Sequence, residues 1–394
     1  MSPVQGLHYD IIAEIIDIIG ETRNQNVLKE LALVSHSFLQ ICRKHLFATI
    51  KLHSANYSIA SSSSSKKGFV KLLKSRPDAI NYIRKLTYEV SDNNDDDHLL
   101  SPILSNFLPT VSRLNSLTII ASHRDWNTLD SSLTSAFLHL MRLPTINHID
   151  LSYIKNFPLS SLTPSVNLLR LDLVYLKHFE YFDENLQSDT MPKLREFRTS
   201  YSSLLTTKLL RTKRRDGQPA FNFTDLRRLS MSLSYFEDEQ NIRYLLQNAK
   251  SLENLHLTVD DGRSIEGILS LRASTLKVLD LSVSLYHHRV RSLAGLCGEL
   301  EAMAGHNMLE ALSLQVSLGV HHTVDFIGSR IQKVENVLAK PGWSALRRVS
   351  LKLTIIPWGD TTELTKALQT LPDKYLSHLP KLESVAFNYS AYLA

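Results

Sequence analysis

Apolar residues along this chain follow two different rhythms. Near the start, "DIIAEIIDIIG" places Ile11/Ile12, Ile15/Ile16 and Ile18/Ile19 three to four residues apart, with Asp10, Glu14 and Asp17 on the opposite side. That spacing predicts an amphipathic helix stopped by Gly20. After the polar "ETRNQN", Asn26 can cap a second helix carrying Val27, Leu28, Leu31 and Val34. Ser35 can cap a third, carrying Phe38, Ile41, Cys42 and Leu46. The tail "FATIKLH" alternates instead, with Ala48, Ile50 and Leu52 on one face of a strand-like step.

From about residue 80 the second rhythm takes over. It is Leu-x-x-Leu-x-Leu, with Ile, Val, Phe or Met substituting. Eleven copies start at Ile83, Leu114, Ile146, Leu168, Leu194, Leu226, Leu252, Leu276, Leu309, Leu346 and Leu382, from 22 to 37 residues apart. The fourth and sixth positions alternate around a polar residue, as in a strand with one buried face. The first position anchors the turn into the strand, and Pro144, Pro192 and Pro380 introduce three of the units. Between the motifs, "SLTSAFLHLMRLP", "EDEQNIRYLLQNA" and "VRSLAGLCGELEAMAG" have helical spacing. A strand and a helix of this size cannot bury their faces singly, whereas stacked copies can. The prediction is an α/β fold with one parallel sheet and an outer layer of helices. Two polar stretches interrupt it. "SANYSIASSSSSKKG" reads as a linker. "DNNDDD" (residues 92–97) reads as a solvated loop, since it lacks the Gly and terminal Glu of a calcium loop.

The second rhythm resembles the leucine-rich repeat family, whose strands line a concave surface. The units depart from that family in their uneven length. They also mostly lack the Asn or Cys three positions after the last motif Leu; after "INHIDL" that position is Ile154. The expected form is therefore an irregular, open solenoid, the alternative being an ordinary α/β domain with chance leucine spacing. On the concave face the third and fifth motif positions supply Arg170, Asp172, Arg198, Arg228, His256, Asp280 and Arg348 as expected target-binding residues. This mixed-charge set suits a protein segment.

A three-helix unit of about 45 residues is too small to sustain a core of its own and should lean on something else. The stretch from Leu7 to Leu52 resembles an F-box, the module that docks substrate receptors onto the adaptor of SCF (cullin–RING) ubiquitin ligases. Leu7, Asp10, Ile11, Ile12, Ile15 and Ile16 match the opening of the family pattern, and Leu31, Leu33, Val34 and Phe38 its second half. His8 stands where the family has Pro, Ser35 where it has Cys, and His36 where it has Arg. The resemblance implies three parts. Residues 1–52 form an F-box-like helical module, 53–80 a linker and first helix, and 81–394 a leucine-rich-repeat-like solenoid of about eleven units. It implies docking of the adaptor through Leu7, Ile11, Ile12, Ile15, Leu28, Leu31, Val34 and Phe38, with cullin reached through the adaptor, and a protein target of unknown identity on the repeats. The alternative is a leucine-rich-repeat scaffold or inhibitor-like binding module whose N-terminal helices only cap the solenoid, unrelated to ubiquitination.

Composition narrows the classes further. The chain has 394 residues, 43% hydrophobic and 21% charged, with a net charge of +5 and a pI near 9.0. A charge that small over this length gives no basis for a nucleic-acid partner. Cys42 and Cys297 are the two cysteines and sit in apolar patterns, which fits buried thiols in a reducing compartment. No stretch approaches the ~20 apolar residues of a membrane span. "MSPVQGLHYD" lacks a basic region followed by an apolar core, so no signal peptide is expected and the cytosol or nucleus is. No phosphate loop, nucleophile elbow, His-Glu-x-x-His or Cys-x-x-Cys occurs, so neither catalysis nor a cofactor is expected. His287–His288 and His321–His322 are read as ordinary loop histidines. "RTKRR" (Arg211 to Arg215) is read as a solvated turn, with a nuclear-localisation patch or an acidic-partner site as sharper alternatives.

Overall fold

The double-isoleucine stretch folds as α1 (Tyr9–Glu21), followed by α2 (Gln25–Ala32) and α3 (His36–Leu46). This is a computed structural model describing residues 9–22, 24–53, 65–90, 111–177, 185–186, 191–260, 263–285, 291–318, 324–355, 362–376, 378 and 385–393. Leu7, His8, "DNNDDD", both histidine pairs, Pro380 and most of the serine run lie outside these residues. Ile16, Leu28, Ile41 and Cys42 form the core of the helical module, with Ile12, Ala13, Ile19, Leu31, Ala32, Phe38 and Leu46 packed against it. Ser35 caps α3 as expected, its hydroxyl accepting from the Phe38 N–H at 3.2 Å. The cap of α2 is Asn24, two residues earlier than expected: its side chain accepts from the Val27 N–H, which puts Asn26 inside the helix.

Gly20 does not stop α1, which runs on to Glu21. It instead lets α1 approach α3, since a Cβ there would lie 2.2 Å from the His45 imidazole. The same imidazole and the neighbouring ammonium grip Asp17: His45 Nε2 is 2.6 Å and Lys44 Nζ 2.7 Å from its carboxylate. Burial pushes the Asp17 carboxyl upward, but the hydrogen bonds and charges of Lys44 and His45 outweigh it and hold it below its ordinary value.

The chain divides into two compact units, Met1–Leu168 with Tyr175–Phe182, and Leu169–Val174 with Asp183–Ala394. The first holds the helical module, β1 (Thr49–Leu52), α4 (Ser65–Ser75), β2 (Lys85–Glu89), β3 (Ser116–Asp125), α5 (Ser131–Met141) and β4 (His148–Lys155). Its strands pair in parallel and in chain order. The motif leucines point at the helices: Leu86, Leu117, Ile119, Ile149 and Leu151 are buried, as are Leu133, Phe137 and Leu140 of α5. Near the strand ends His123, Tyr153 and Tyr175 take left-handed backbone at φ 67°, 58° and 52°. Their rings form a file, His123 edge-on to Tyr153 at 5.0 Å and Tyr153 stacked on Tyr175 at 4.9 Å. Ring contact of that kind offsets part of the backbone strain.

The second unit repeats the scheme with β5 (Arg170–Val174), β6 (Asn185–Leu186), β7 (Glu196–Ser200), α6 (Ser203–Arg211), β8 (Lys213–Arg214), β9 (Arg228–Leu233), α7 (Phe236–Asn248) and β10 (Asn254–Val259). It continues through β11 (Val278–Leu285), α8 (Arg291–Met303), β12 (Ala311–Leu318), α9 (Val324–Leu338), β13 (Arg348–Ile355), α10 (Thr362–Tyr375) and β14 (Ala386–Leu393). Strands β5, β7 and β9 to β14 follow one another in parallel. The short β6 and β8 pair separately.

One backbone device recurs from strand to strand within each compact unit, as far as β13. The carbonyl of the second motif residue accepts two successive N–H groups of the next unit. Arg84 takes Asn115 and Ser116, Arg227 takes Glu253 and Asn254, and Glu310 takes Arg347 and Arg348. The device adds a repeat at the start of the series, and strand pairing shifts the register of the last one. Ala48 takes Arg84 and Lys85, and Ile50 and Leu52 pair with Leu86 and Tyr88. "FATIKL" is therefore a further unit starting at Phe47. At the other end Val349 and Leu351 pair with Phe387 and Tyr389. The last motif thus lies two residues beyond "LESVAF", with Phe387 where the sequence suggested Val385.

Candidate functional site

Two surfaces carry side chains that the fold itself leaves unused. The first is on the helical module. Each isoleucine pair of α1 splits: Ile12, Ile16 and Ile19 pack on the core, while Ile11, Ile15 and Ile18 are 47%, 44% and 56% exposed. Residues at i, i+4 and i+7 share one helix face, so the two triplets form adjacent stripes, one inward and one outward. Leu33 and Val34 follow the end of α2, where the Leu33 N–H turns back to Glu30 and Leu31; they are 87% and 65% exposed.

Of the residues expected to meet an adaptor, Ile11, Ile15 and Val34 are thus outward. Ile12, Leu31 and Phe38 are half-buried against the core. Leu28 is 1% exposed and belongs to the core, so it can hold the module together but offers no contact surface. Ile18, Leu33 and Tyr9 are outward-facing members that the sequence reading left out. The signal for Leu33 was weak: it and Val34 lie past the last turn of α2, where helical spacing no longer says which side a residue faces.

The second surface is the sheet face of the second unit opposite the buried leucines. Registers place Arg198 beside Ser230, Ser230 beside His256, and His256 beside Asp280 in one row across β7, β9, β10 and β11. Asp172 extends that row beside Arg198. Arg170, Glu196, Arg228 and Asn254 form the neighbouring row. Together they line a depression of about 250 Å³. Six of the seven residues expected on this face meet there, while Arg348 stands apart on β13 between Ala311 and Ala386. Asp172 corrects the expectation of an exposed position: it is 3% exposed and held by Arg170, whose Nη2 lies 2.8 Å from its carboxylate. Glu196 is shared between Arg170 Nη1 at 3.3 Å and Arg228 Nη1 at 3.0 Å. Arg198, His256 and Asp280 make no ion pair or side-chain hydrogen bond among the described residues.

Other sequence candidates are absorbed by structure. Lys213 and Arg214 of "RTKRR" form β8, and Arg214 pairs with Asp216 at 2.6 Å in a turn completed by Gly217 at φ 77°. Both cysteines are free; burial raises the thiols of Cys42 and of Cys297, the latter also through Glu301. Among the described residues no group of three His, Cys, Asp or Glu side chains could hold a metal ion, and no helix is long and apolar enough to cross a membrane. Comparison of the sequence with known family models and with curated proteins finds no match.

Proposed function

We propose that this chain is a substrate-recognition subunit of an SCF ubiquitin ligase. The helical module docks the adaptor as an F-box does, and the open face of the strand repeats holds a protein target for the ligase core. The observation that carries the reading is the splitting of the isoleucine pairs. A module whose helices served only the fold would turn one stripe inward and keep the other polar. Here Ile11, Ile15, Ile18, Leu33 and Val34 are 44% to 87% exposed among the described residues, beside the core of Ile16, Leu28, Ile41 and Cys42. Exposed apolar residues that share one helix face, as Ile11, Ile15 and Ile18 do, are the kind of surface that marks an interaction site. In this role the chain supplies proximity and orientation, and the reacting groups belong to the ligase core.

The test is co-expression of the adaptor with the full chain and with a version beginning at residue 53. Co-purification that requires residues 1–52, and that survives high salt as an apolar contact should, supports the proposal. A soluble, monodisperse full chain that ignores the adaptor overturns it. The alternative, a repeat scaffold with a helical cap, draws on one observation: α3 runs directly into β1, which joins the register of β2. Loss of solubility on removing residues 1–46, which leaves β1 in place, without any adaptor binding by the full chain, would favour that reading.

A further inference from the structure

The row Arg198, Ser230, His256, Asp280 has a polarity that the ion pairs around it do not cancel. At its β7 side, the two nearest acids are already occupied: Asp172 by Arg170, and Glu196 by Arg170 and Arg228. Arg198 is left as an exposed cation, supported by Arg228, whose side chain is 63% exposed despite its bond to Glu196. At the β11 side Asp280 is half-buried and makes no ion pair among the described residues. Between the two poles lie the Ser230 hydroxyl and the exposed His256 imidazole. The poles stand three strand spacings apart, about 14 Å.

We propose that this depression reads a dipolar segment of the target protein, an extended stretch with an acidic side chain at one position and a Lys or Arg four residues away. An extended chain advances about 3.3 Å per residue, so four residues span the gap between the poles, and residues i and i+4 point to the same side. The carboxylate sits against Arg198 and Arg228, and the cation against Asp280. An isolated anion would use only half of the site and leave Asp280 without a partner from the target. This inference rests on the reading of the open face as the target-holding surface and names the chemistry that the face selects.

The experiment uses the full chain and fluorescein-labelled peptides containing Glu-Thr-Val-Thr-Lys, whose spacers favour extended backbone, read by fluorescence anisotropy. Binding should weaken when either charge is replaced by Thr, and when the two are moved to i and i+3. Asp280→Lys should weaken the Glu/Lys peptide about tenfold through like-charge apposition, and a Glu-Thr-Val-Thr-Glu peptide should regain that loss. Arg198→Glu should be rescued in the same way by a Lys/Lys peptide. No binding of the Glu/Lys peptide, or losses in both variants without charge-swapped rescue, overturns the inference. So does a phosphoserine peptide that binds tighter and is indifferent to Asp280→Lys, which would make the depression an anion site. Adaptor co-purification of the same variants separates the two proposals. Retained adaptor with no peptide binding removes only the dipolar assignment, while peptide binding without adaptor removes only the ligase reading.

Discussion

The helical module and the strand repeats spend their apolar residues in opposite ways. In the repeats, the fourth and sixth motif positions are withdrawn from water almost without exception: Leu255, Leu257, Leu279, Leu281, Leu312, Leu314, Val349 and Leu351 are all 5% exposed or less. In α1, by contrast, equally apolar positions alternate between core and solvent, Ile12, Ile16 and Ile19 inward and Ile11, Ile15 and Ile18 outward. The hydrophobic effect acts equally on both, so three half-exposed isoleucines on one helix face are apolar surface that burial in the described fold does not account for. An apolar residue of a repeat is buried by its neighbours in the chain, whereas among the described residues the outer stripe of α1 stays about half exposed. Mutations should therefore separate the two regions, with the largest stability effects in the repeats and the smallest on the outer stripe.

The largest effect belongs to the repeat core. Leu257→Ala removes a side chain 0% exposed on β10 and should cost about 2–5 kcal/mol, read as a lowered midpoint in chemical unfolding. A change below 0.5 kcal/mol there would erase the contrast. Next comes Gly20→Ala. Its new Cβ must displace the His45 ring from 2.2 Å and with it the contact to Asp17. We expect about 1–3 kcal/mol of local destabilisation, seen as faster amide hydrogen exchange in α1 and α3 with β10 unaffected.

Much of this architecture was legible in the sequence, and the failures share a cause. The Leu-x-x-Leu-x-Leu motif located β2 to β5, β7 and β9 to β13 because its period records burial, and burial is what the strands do. It failed at the two ends. "FATIKL" opens with Phe and follows a helix directly, so it read as a step and not as a unit. At the other end, "LESVAF" mimics the motif two residues out of place, and only the pairing of Phe387 with Val349 fixes it. Asn24 and Asn26 are equally good capping residues by type, so residue type alone could not say which begins α2. In the candidate sites, polarity at the third and fifth positions showed which residues share the open face, yet it could not show that Arg170 would fold over Asp172 and bury it. Pairing across strands depends on register, which a single motif does not contain.

Two smaller effects sharpen the module's side of the comparison. Ser35→Ala removes the hydroxyl that accepts from Phe38 and should cost about 1 kcal/mol, again as faster exchange at the start of α3. Asp17 gives a pH dependence. Its folded carboxyl is held below the ordinary 3.8, so its contribution is present above that value and disappears as the pH falls through the folded one. Protection of α1 and α3 should therefore decline on acidification below about pH 4, and Asp17→Asn should flatten that decline. The carboxylate is 41% exposed, so solvent screening keeps the effect under about 1 kcal/mol.

The smallest expected stability effect is the most informative. Leu33 is 87% exposed just past the end of α2, and replacing it with Ser removes little buried area. Leu33→Ser should move the unfolding midpoint by no more than about 0.5 kcal/mol in either direction, the range of ordinary surface substitutions. If the module docks the adaptor as proposed, the same substitution should reduce adaptor co-purification several-fold, because it removes an apolar side chain from the contact. Leu257→Ala supplies the reverse pattern: large on unfolding and, at temperatures where the chain stays folded, neutral on adaptor binding. If Leu33→Ser destabilised the chain as a core mutation does, its exposure would be a poor guide and the outer surface of the module would count as fold. If it left both stability and docking unchanged, the uncovered residues would have no assigned partner, and the comparison between module and repeats would rest on α1 alone.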